Sequence, residues 1–251
     1  MLRDGGSGSL LRVVGTAAPP RARLVAVPYA GGGATVFHGW RDSLPVGVET
    51  CVVQLPGRQD RWQEKALTRV DEIADRTAAE VGSRPHALTV LYGHSFGALV
   101  AFEVARRLQA NGHPAESLVV GARGAPQLPY TESPIHDASE HALVEALGER
   151  YGAPIAALQN PELLRLALVG LRGDLEALET YRYVEGEPLK TSVTVLRGRQ
   201  DASLSEADAL AWRRVTAGGF AIHEIEAGHF FLHSHRFWVL DQIADQFGRL
   251  L

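Results

Sequence analysis

Three side chains far apart in the sequence have the types and setting needed for acyl transfer: Ser95, Asp201 and His229. A serine hydroxyl is a poor nucleophile until a base removes its proton, and histidine titrates close enough to neutrality to be that base. A carboxylate behind the imidazole orients it and stabilises its protonated form without taking the proton itself. Ser95 lies in Gly93-His94-Ser95-Phe96-Gly97, a G-x-S-x-G pattern in which a sharp strand-to-helix turn exposes the hydroxyl above the edge of a sheet. With 26 glycines in the chain, the bare pattern arises by chance in about one such sequence in eight, so its setting must carry the weight. That setting fits, because the strand-like run Ala87-Leu88-Thr89-Val90-Leu91-Tyr92 comes directly before it and an apolar helical pattern directly after.

The acid and the base follow in the chain order that such a site requires. Asp201 comes just after the apolar run Ser192 to Leu196, and His229 just after Ala221 to Ile225. Glu206 and Asp208 compete as acids but fall inside a helical pattern, while Asp174 and Glu176 follow no strand. His223 falls inside a strand; His233 and His235 open the final helix. His233-Ser234-His235 could also suggest a metal site, but alternate histidines at a helix start diverge and no partner ligand stands out. His94 is expected to pack or hydrogen-bond locally and is assigned no chemistry.

Acyl transfer also builds a negative oxygen, which preorganised backbone N–H groups stabilise. Phe96, the residue after the nucleophile, should supply one amide. The loop Val27-Pro28-Tyr29-Ala30-Gly31-Gly32-Gly33-Ala34 should supply the second, from Ala30. A phosphate-binding loop is the competing reading, and the absence of a following Lys-Ser or Lys-Thr and of G-x-G-x-x-G spacing argues against it.

These residues need a sheet to hold them. Apolar runs at Leu24 to Tyr29, Thr50 to Leu55, Leu88 to Tyr92, Ser117 to Gly121, Ser192 to Leu196 and Ala221 to Ile225 alternate with helical patterns at Val70 to Val81, Phe96 to Gln109, Glu206 to Val215 and Arg236 to Phe247. That is the order of parallel strands joined by crossover helices, and runs apolar throughout suit strands covered on both faces. An α/β architecture with a mostly parallel central sheet and helices on both faces is therefore expected. Residues 122–191 break the rhythm, with prolines at 126, 129 and 134 and then helical patterns at Glu140 to Glu149 and Glu162 to Leu178. So long a stretch is not a structureless loop. It reads as a helical lid subdomain over residues 126–186, inserted into a single domain spanning residues 1–251, with a flexible glycine-rich terminus at residues 1–10.

Composition narrows the function classes. The 251 residues are 45% hydrophobic and 22% charged with a net charge of −4, ordinary for a globular chain. No block of like charge favours nucleic acid, and no run reaches the ~18 apolar residues of a membrane span. A single cysteine, Cys51 in a buried-looking strand, and the lack of a signal-like apolar segment lead to the expectation of a cytoplasmic protein.

Taken together, Pro28-Tyr29-Ala30-Gly31-Gly32-Gly33-Ala34, Gln54-Leu55-Pro56-Gly57-Arg58, Tyr92-Gly93-His94-Ser95-Phe96-Gly97-Ala98, Glu179-Thr180-Tyr181-Arg182-Tyr183 and Gly228-His229-Phe230-Phe231-Leu232 resemble the stand-alone type II thioesterases of polyketide and nonribosomal peptide synthesis, from about Leu24 to the C-terminus. The chain departs from many of them at Arg199-Gln200, where a further acid is common, and at Arg123-Gly124. The resemblance implies an α/β-hydrolase fold and a Ser95–His229–Asp201 triad. It also implies editing of acyl groups on the phosphopantetheine arm of an acyl or peptidyl carrier protein, with no cofactor bound by the enzyme itself. Two other readings stay open: an esterase or lipase acting on small oxygen esters, and a ligand-binding protein that keeps the architecture without turnover. Arg61, Lys65 and Arg69 could mark a carrier-docking surface, though a solvated helix face is the more usual meaning.

Overall fold

The apolar runs of the sequence become neighbouring strands of one sheet. In this computed structural model, which describes residues 2–3, 8–14, 20–153 and 161–250, the strands are β1 (Leu2–Arg3), β2 (Leu11–Val14), β3 (Ala22–Val27), β4 (Val48–Val53), β5 (Leu88–His94), β6 (Ser117–Gly121), β7 (Ser192–Gly198) and β8 (Phe220–Ile225). Their order is β1-β2-β4-β3-β5-β6-β7-β8. From β4 to β8 every pairing is parallel, while β2 joins β4 antiparallel and β1 joins β2 antiparallel. All six expected strands are present within a few residues of their anticipated bounds. The β1–β2 edge was not anticipated. The expected flexible terminus at residues 1–10 falls partly outside the described residues, and Leu2–Arg3 within it pair with β2.

Side chains alternate between the two faces of the sheet, as a strand period of two demands. Val25, Val27, Leu91, Leu118, Val120, Val193 and Val195 pack on one side, against α1 (Val70–Gly82), α2 (Phe96–Ala110) and Trp212. Leu24, Ala26, Val90, Tyr92, Val119 and Leu196 pack on the other, against α6 (Phe231–Ser234), α7 (Arg236–Gly248) and the aromatic pair Phe37 and Trp40. Both faces are dry, which is why these strands read as continuous apolar runs.

Between β6 and β7 lie α3 (Glu140–Tyr151) and α4 (Pro161–Thr180). Ser139 caps α3 by accepting the Ala142 N–H, and Gly152 ends it in the left-handed region at φ 62°. Leu143 and Leu147 of α3 meet Leu168, Leu171 and Leu175 of α4 in a separate apolar cluster that also touches Ala30. The pattern expected as one helix over Glu206 to Val215 is instead α5 (Glu206–Leu210) followed by a tighter 3-10 turn over Ala211–Val215. Such tightening is common at helix ends, and here it accompanies the Trp212 indole donating to the Arg123 carbonyl at 2.8 Å.

Candidate active site

The site forms where β5, β7 and β8 end at the same rim of the sheet, the edge at which ligands bind in open α/β sheets. β5 stops at His94 and α2 starts at Phe96, leaving Ser95 between them at φ 54° and ψ −118°. That backbone is sterically costly for a residue with a β-carbon and is held by its surroundings. The Ser95 N–H donates to the Gly121 carbonyl of β6 at 2.8 Å. The flanking glycines are compelled by space, since a β-carbon on Gly93 would lie 2.1 Å from the Gly97 oxygen and one on Gly97 2.3 Å from the Val27 oxygen.

Three side chains named from the sequence meet here. The His229 ring places Nε2 3.0 Å from Ser95 Oγ and Nδ1 2.8 Å from Asp201 Oδ2. Asp201 and His229 are each only 5% exposed. Burial alone would raise the Asp201 pKa, but the hydrogen bond and charge of His229, with two donors from Ser203, outweigh it and hold the carboxyl below its usual value. Ser203 is a residue the sequence reading missed. Its N–H and hydroxyl both donate to Asp201 Oδ1, at 3.0 and 2.6 Å, satisfying the oxygen that His229 leaves free.

The two oxyanion candidates are arranged differently. The Phe96 amide belongs to the first turn of α2, so it has no acceptor within the helix. The Ala30 amide is aimed by a turn in which Gly32 N–H donates to the Tyr29 carbonyl at 2.9 Å, with Gly31 at φ +78°. A positive φ at the third position defines a type II turn and favours glycine there. In a trans peptide the carbonyl and the following N–H point in opposite directions. With the Tyr29 carbonyl engaged inside the turn, the Ala30 N–H faces away from it.

Above this floor lies a cavity of about 870 Å³, within the size range of small-molecule sites. Ser95, Asp201 and His229 line it together with Leu147 of α3 and Leu171, Leu175 and Leu178 of α4. The Tyr151 ring, at the end of α3, sits 4.8 Å from the His229 ring, centroid to centroid.

Four of the rival histidines and acids are engaged elsewhere. His233 Nε2 meets the Tyr29 hydroxyl at 3.0 Å, and His235 Nδ1 meets the Ser234 hydroxyl at 2.9 Å. Among the described residues, no group of three or more His, Cys, Asp or Glu side chains could hold a metal ion, and no helix is long and apolar enough to cross a membrane. Asp174 is fully buried and paired with Arg58, while Ser205 caps α5 by accepting the Asp208 N–H and donates its hydroxyl to the Asp208 carboxylate. Arg61 does not belong to an exposed basic face. It is buried, donating to the Ser9 and Gln54 carbonyls at 2.9 Å and pairing with Glu64.

Comparison with known proteins gives a consistent picture. The thioesterase domain family model matches residues 22–250. Gramicidin S biosynthesis protein GrsT of Aneurinibacillus migulanus is 32% identical over 92% of this chain and 91% of its own. Thioesterase PikA5 of Streptomyces venezuelae is 36% identical over 95% of this chain and 85% of its own. The solved structure of the type II thioesterase BorB from the borrelidin biosynthetic cluster superposes with a TM-score of 0.88 at 37% identity, covering 97% of this chain and 99% of that one. The mostly parallel sheet with helices on both faces is thus the α/β-hydrolase architecture that the sequence implied.

Proposed function

Since the chain belongs to the thioesterase domain family, we propose that it hydrolyses acyl groups from the phosphopantetheine arm of an acyl or peptidyl carrier protein, as an editing enzyme of polyketide or nonribosomal peptide synthesis. The observation that carries this reading is the relay of Ser95, His229 and Asp201 at the floor of an apolar cavity. Its biosynthetic context rests on the likeness to GrsT, PikA5 and BorB.

In the first half-reaction Ser95 Oγ attacks the thioester carbonyl carbon while His229 Nε2 takes the hydroxyl proton. Asp201 holds the opposite nitrogen and stabilises the imidazolium. The Ala30 and Phe96 amides receive the negative oxygen. Collapse breaks the carbon–sulfur bond, and His229 returns its proton to the departing pantetheine sulfur. Water then attacks the acyl-serine, His229 taking its proton and passing one back to Ser95 Oγ as the free acid leaves. The protein needs no cofactor for these steps, and the thiol arm arrives on the partner.

We treat residues 1–251 as one domain in which residues 126–186 serve as a helical lid whose α3 and α4 wall the acyl chamber; residues 154–160 of that segment lie outside the described ones. The test is the loss of acyl mass from a panel of acyl-loaded carrier proteins. Ser95→Ala should lower turnover by about 10⁴- to 10⁶-fold with the fold intact. Wild-type turnover in that variant, or a strong preference for p-nitrophenyl esters over carrier thioesters, overturns the reading.

A further inference from the structure

A carboxylate that plays no part in the proton relay sits directly behind the oxyanion loop. Asp174, on α4, is fully buried, and its Oδ2 accepts the Gly31 N–H at 2.7 Å. Both of its oxygens are also held by the buried Arg58 guanidinium, with Arg58 Nη2 2.7 Å from Oδ1. The same guanidinium donates to the Gly32 carbonyl at 2.9 Å and to the Gly170 carbonyl of α4 at 3.2 Å. One buried ion pair therefore ties three pieces of chain together: the Tyr29–Gly32 turn, the loop after β4, and α4.

The Gly31 N–H belongs to the central peptide of that turn, the one that can rotate to interconvert turn types. Rotation would replace the N–H facing Asp174 with the Ala30 carbonyl oxygen. A buried carboxylate attracts the first and repels the second, in surroundings where charge is weakly screened. A neutral acceptor discriminates less, because charge-assisted hydrogen bonds are roughly twice as strong as neutral ones. Leu171, one turn earlier on α4, closes the other side, with its side chain 3.2 Å from where a Gly31 β-carbon would be.

We propose that Asp174, clamped by Arg58, is a positioning residue for the oxyanion hole: by gripping the Gly31 N–H directly and the Gly32 carbonyl through Arg58, it fixes the placement of the Tyr29–Gly32 turn that carries the Ala30 amide. This rests on the assignment of Ala30 and Ser95 made above. It also makes α4 part of the frame of the site, because moving that helix away would release the turn.

The experiment compares two ligands of the same acyl length on the full chain. A trifluoromethyl ketone adds Ser95 to form a hemiketal whose oxygen occupies the oxyanion position. An acyl-chain pantetheine thioether fills the chamber but has no carbonyl. Asp174→Asn is expected to weaken the ketone and lower kcat together by about 10- to 100-fold, the scale of a displaced oxyanion donor. Thioether affinity and KM should stay within about twofold, since the turn's aim matters only once the oxyanion forms. Arg58→Lys, which keeps both charges but loses the forked geometry, should show the same selective loss and provides the comparison if Asp174→Asn does not fold. Equal weakening of both ligands, or of neither, overturns the proposal. A wild-type protein that binds the ketone no tighter than the thioether overturns the Ser95 and oxyanion assignment itself, and the proposal with it.

Discussion

His94 holds His229 by the backbone: its ring Nε2 lies 2.8 Å from the His229 carbonyl oxygen. A carbonyl can only accept, so Nε2 carries the proton and Nδ1 is left to accept the Tyr92 hydroxyl at 3.1 Å. The ring is fully buried and lies edge-on to Phe231, with centroids 4.9 Å apart. Burial, followed by the neighbouring His229, pushes its pKa down to about 3. His94 is therefore a neutral strut, built into the elbow, that fixes the peptide from which the His229 imidazole projects.

A histidine kept neutral by burial makes stability depend on pH in a definite direction. The folded value lies below the unfolded one of about 6.5, so the unfolded chain binds the extra proton first. Stability is complete above that unfolded value and falls as pH drops from it toward the folded value of about 3, with a slope of at most about 1.4 kcal/mol per pH unit. His94→Gln should flatten this slope between roughly pH 6 and pH 4, as read by urea unfolding at a series of pH values. The same variant should lower kcat more than it raises KM, because the His229 peptide loses its anchor. An unchanged slope would show that His94 already takes up its proton in the folded protein.

Ser203 makes a separate prediction on the acid side. Its two donors help to keep the Asp201 carboxyl below its ordinary value. A carboxyl lowered on folding contributes stability that is present above its unfolded pKa and is lost as pH falls through its folded one. Ser203→Ala removes the hydroxyl donor, brings the folded value up toward the unfolded one, and so shrinks that contribution. Acid unfolding followed by circular dichroism should then begin at a higher pH than in the wild type. The loss at neutral pH should be about 1.5 to 3 kcal/mol, typical of a hydrogen bond to a charged group.

What the sequence made legible and what it hid have different physical origins. Strands β3 to β7 stood out because both of their faces are buried, and β8, half-buried along its length at the sheet edge, stood out by its position between turn residues and the final helix. The Leu11–Val14 strand did not, because it is short, carries Arg12, and lies near the sheet edge, where that arginine reaches Asp60 at 3.0 Å. Ser95, Asp201 and His229 could be found because each follows a strand end at a recognisable interval. Asp174 gave no such signal. It follows no strand, and a helical pattern reveals a face and not the distant arginine that face will meet. Arg58 was noticed only as part of a resemblance, and its partner becomes visible only when α4 docks. Ser203 hid for the same reason, being one small residue in a loop with no periodicity to mark it.

The chain also buries a charge cluster far from the site. Arg23 pairs with Glu49 at 2.6 Å, both nearly inaccessible, and Arg84 reaches the same carboxylate at 3.1 Å. Cys51 lies beside Glu49, and burial, together with that carboxylate, raises the thiol pKa to about 12. A protonated, inaccessible thiol is a poor nucleophile. Native protein should therefore resist iodoacetamide over hours at pH 8 and become fully alkylated in denaturant, as read by intact mass. Glu49→Ala leaves Arg23 buried without its carboxylate, a change that typically costs about 3 to 5 kcal/mol. It should also speed the alkylation of Cys51, both by loosening the strand and by removing the negative charge that opposes thiolate formation.

Space at the elbow separates a glycine needed for close approach, Gly97, from one that is merely tolerated, Gly248. A β-carbon on Gly97 would lie 2.3 Å from the Val27 oxygen and 2.5 Å from the Pro28 oxygen, both backbone atoms. Neither can swing aside as a side chain would, so the start of α2 or the end of β3 must move. The end of β3 leads directly into Tyr29 and Ala30, so relief of the clash would disturb Ser95 and the Tyr29–Gly32 turn together. Gly248 closes α7 in open space, with nothing within 4 Å of its added carbon. Gly97→Ala should therefore cost about 3 kcal/mol or more, lowering Tm by about 6 °C or more for a domain of this size. Its kcat should fall further than the loss of folded protein accounts for. Gly248→Ala should be neutral or stabilising by up to about 1 kcal/mol, the helix-propensity difference between the two residues. Thermal unfolding paired with turnover per folded molecule checks both. If Gly97→Ala kept its Tm and kcat, the approach of α2 to β3 would have to be looser than 2.3 Å contacts allow, and the rigid elbow on which the Ser95 assignment depends would be lost.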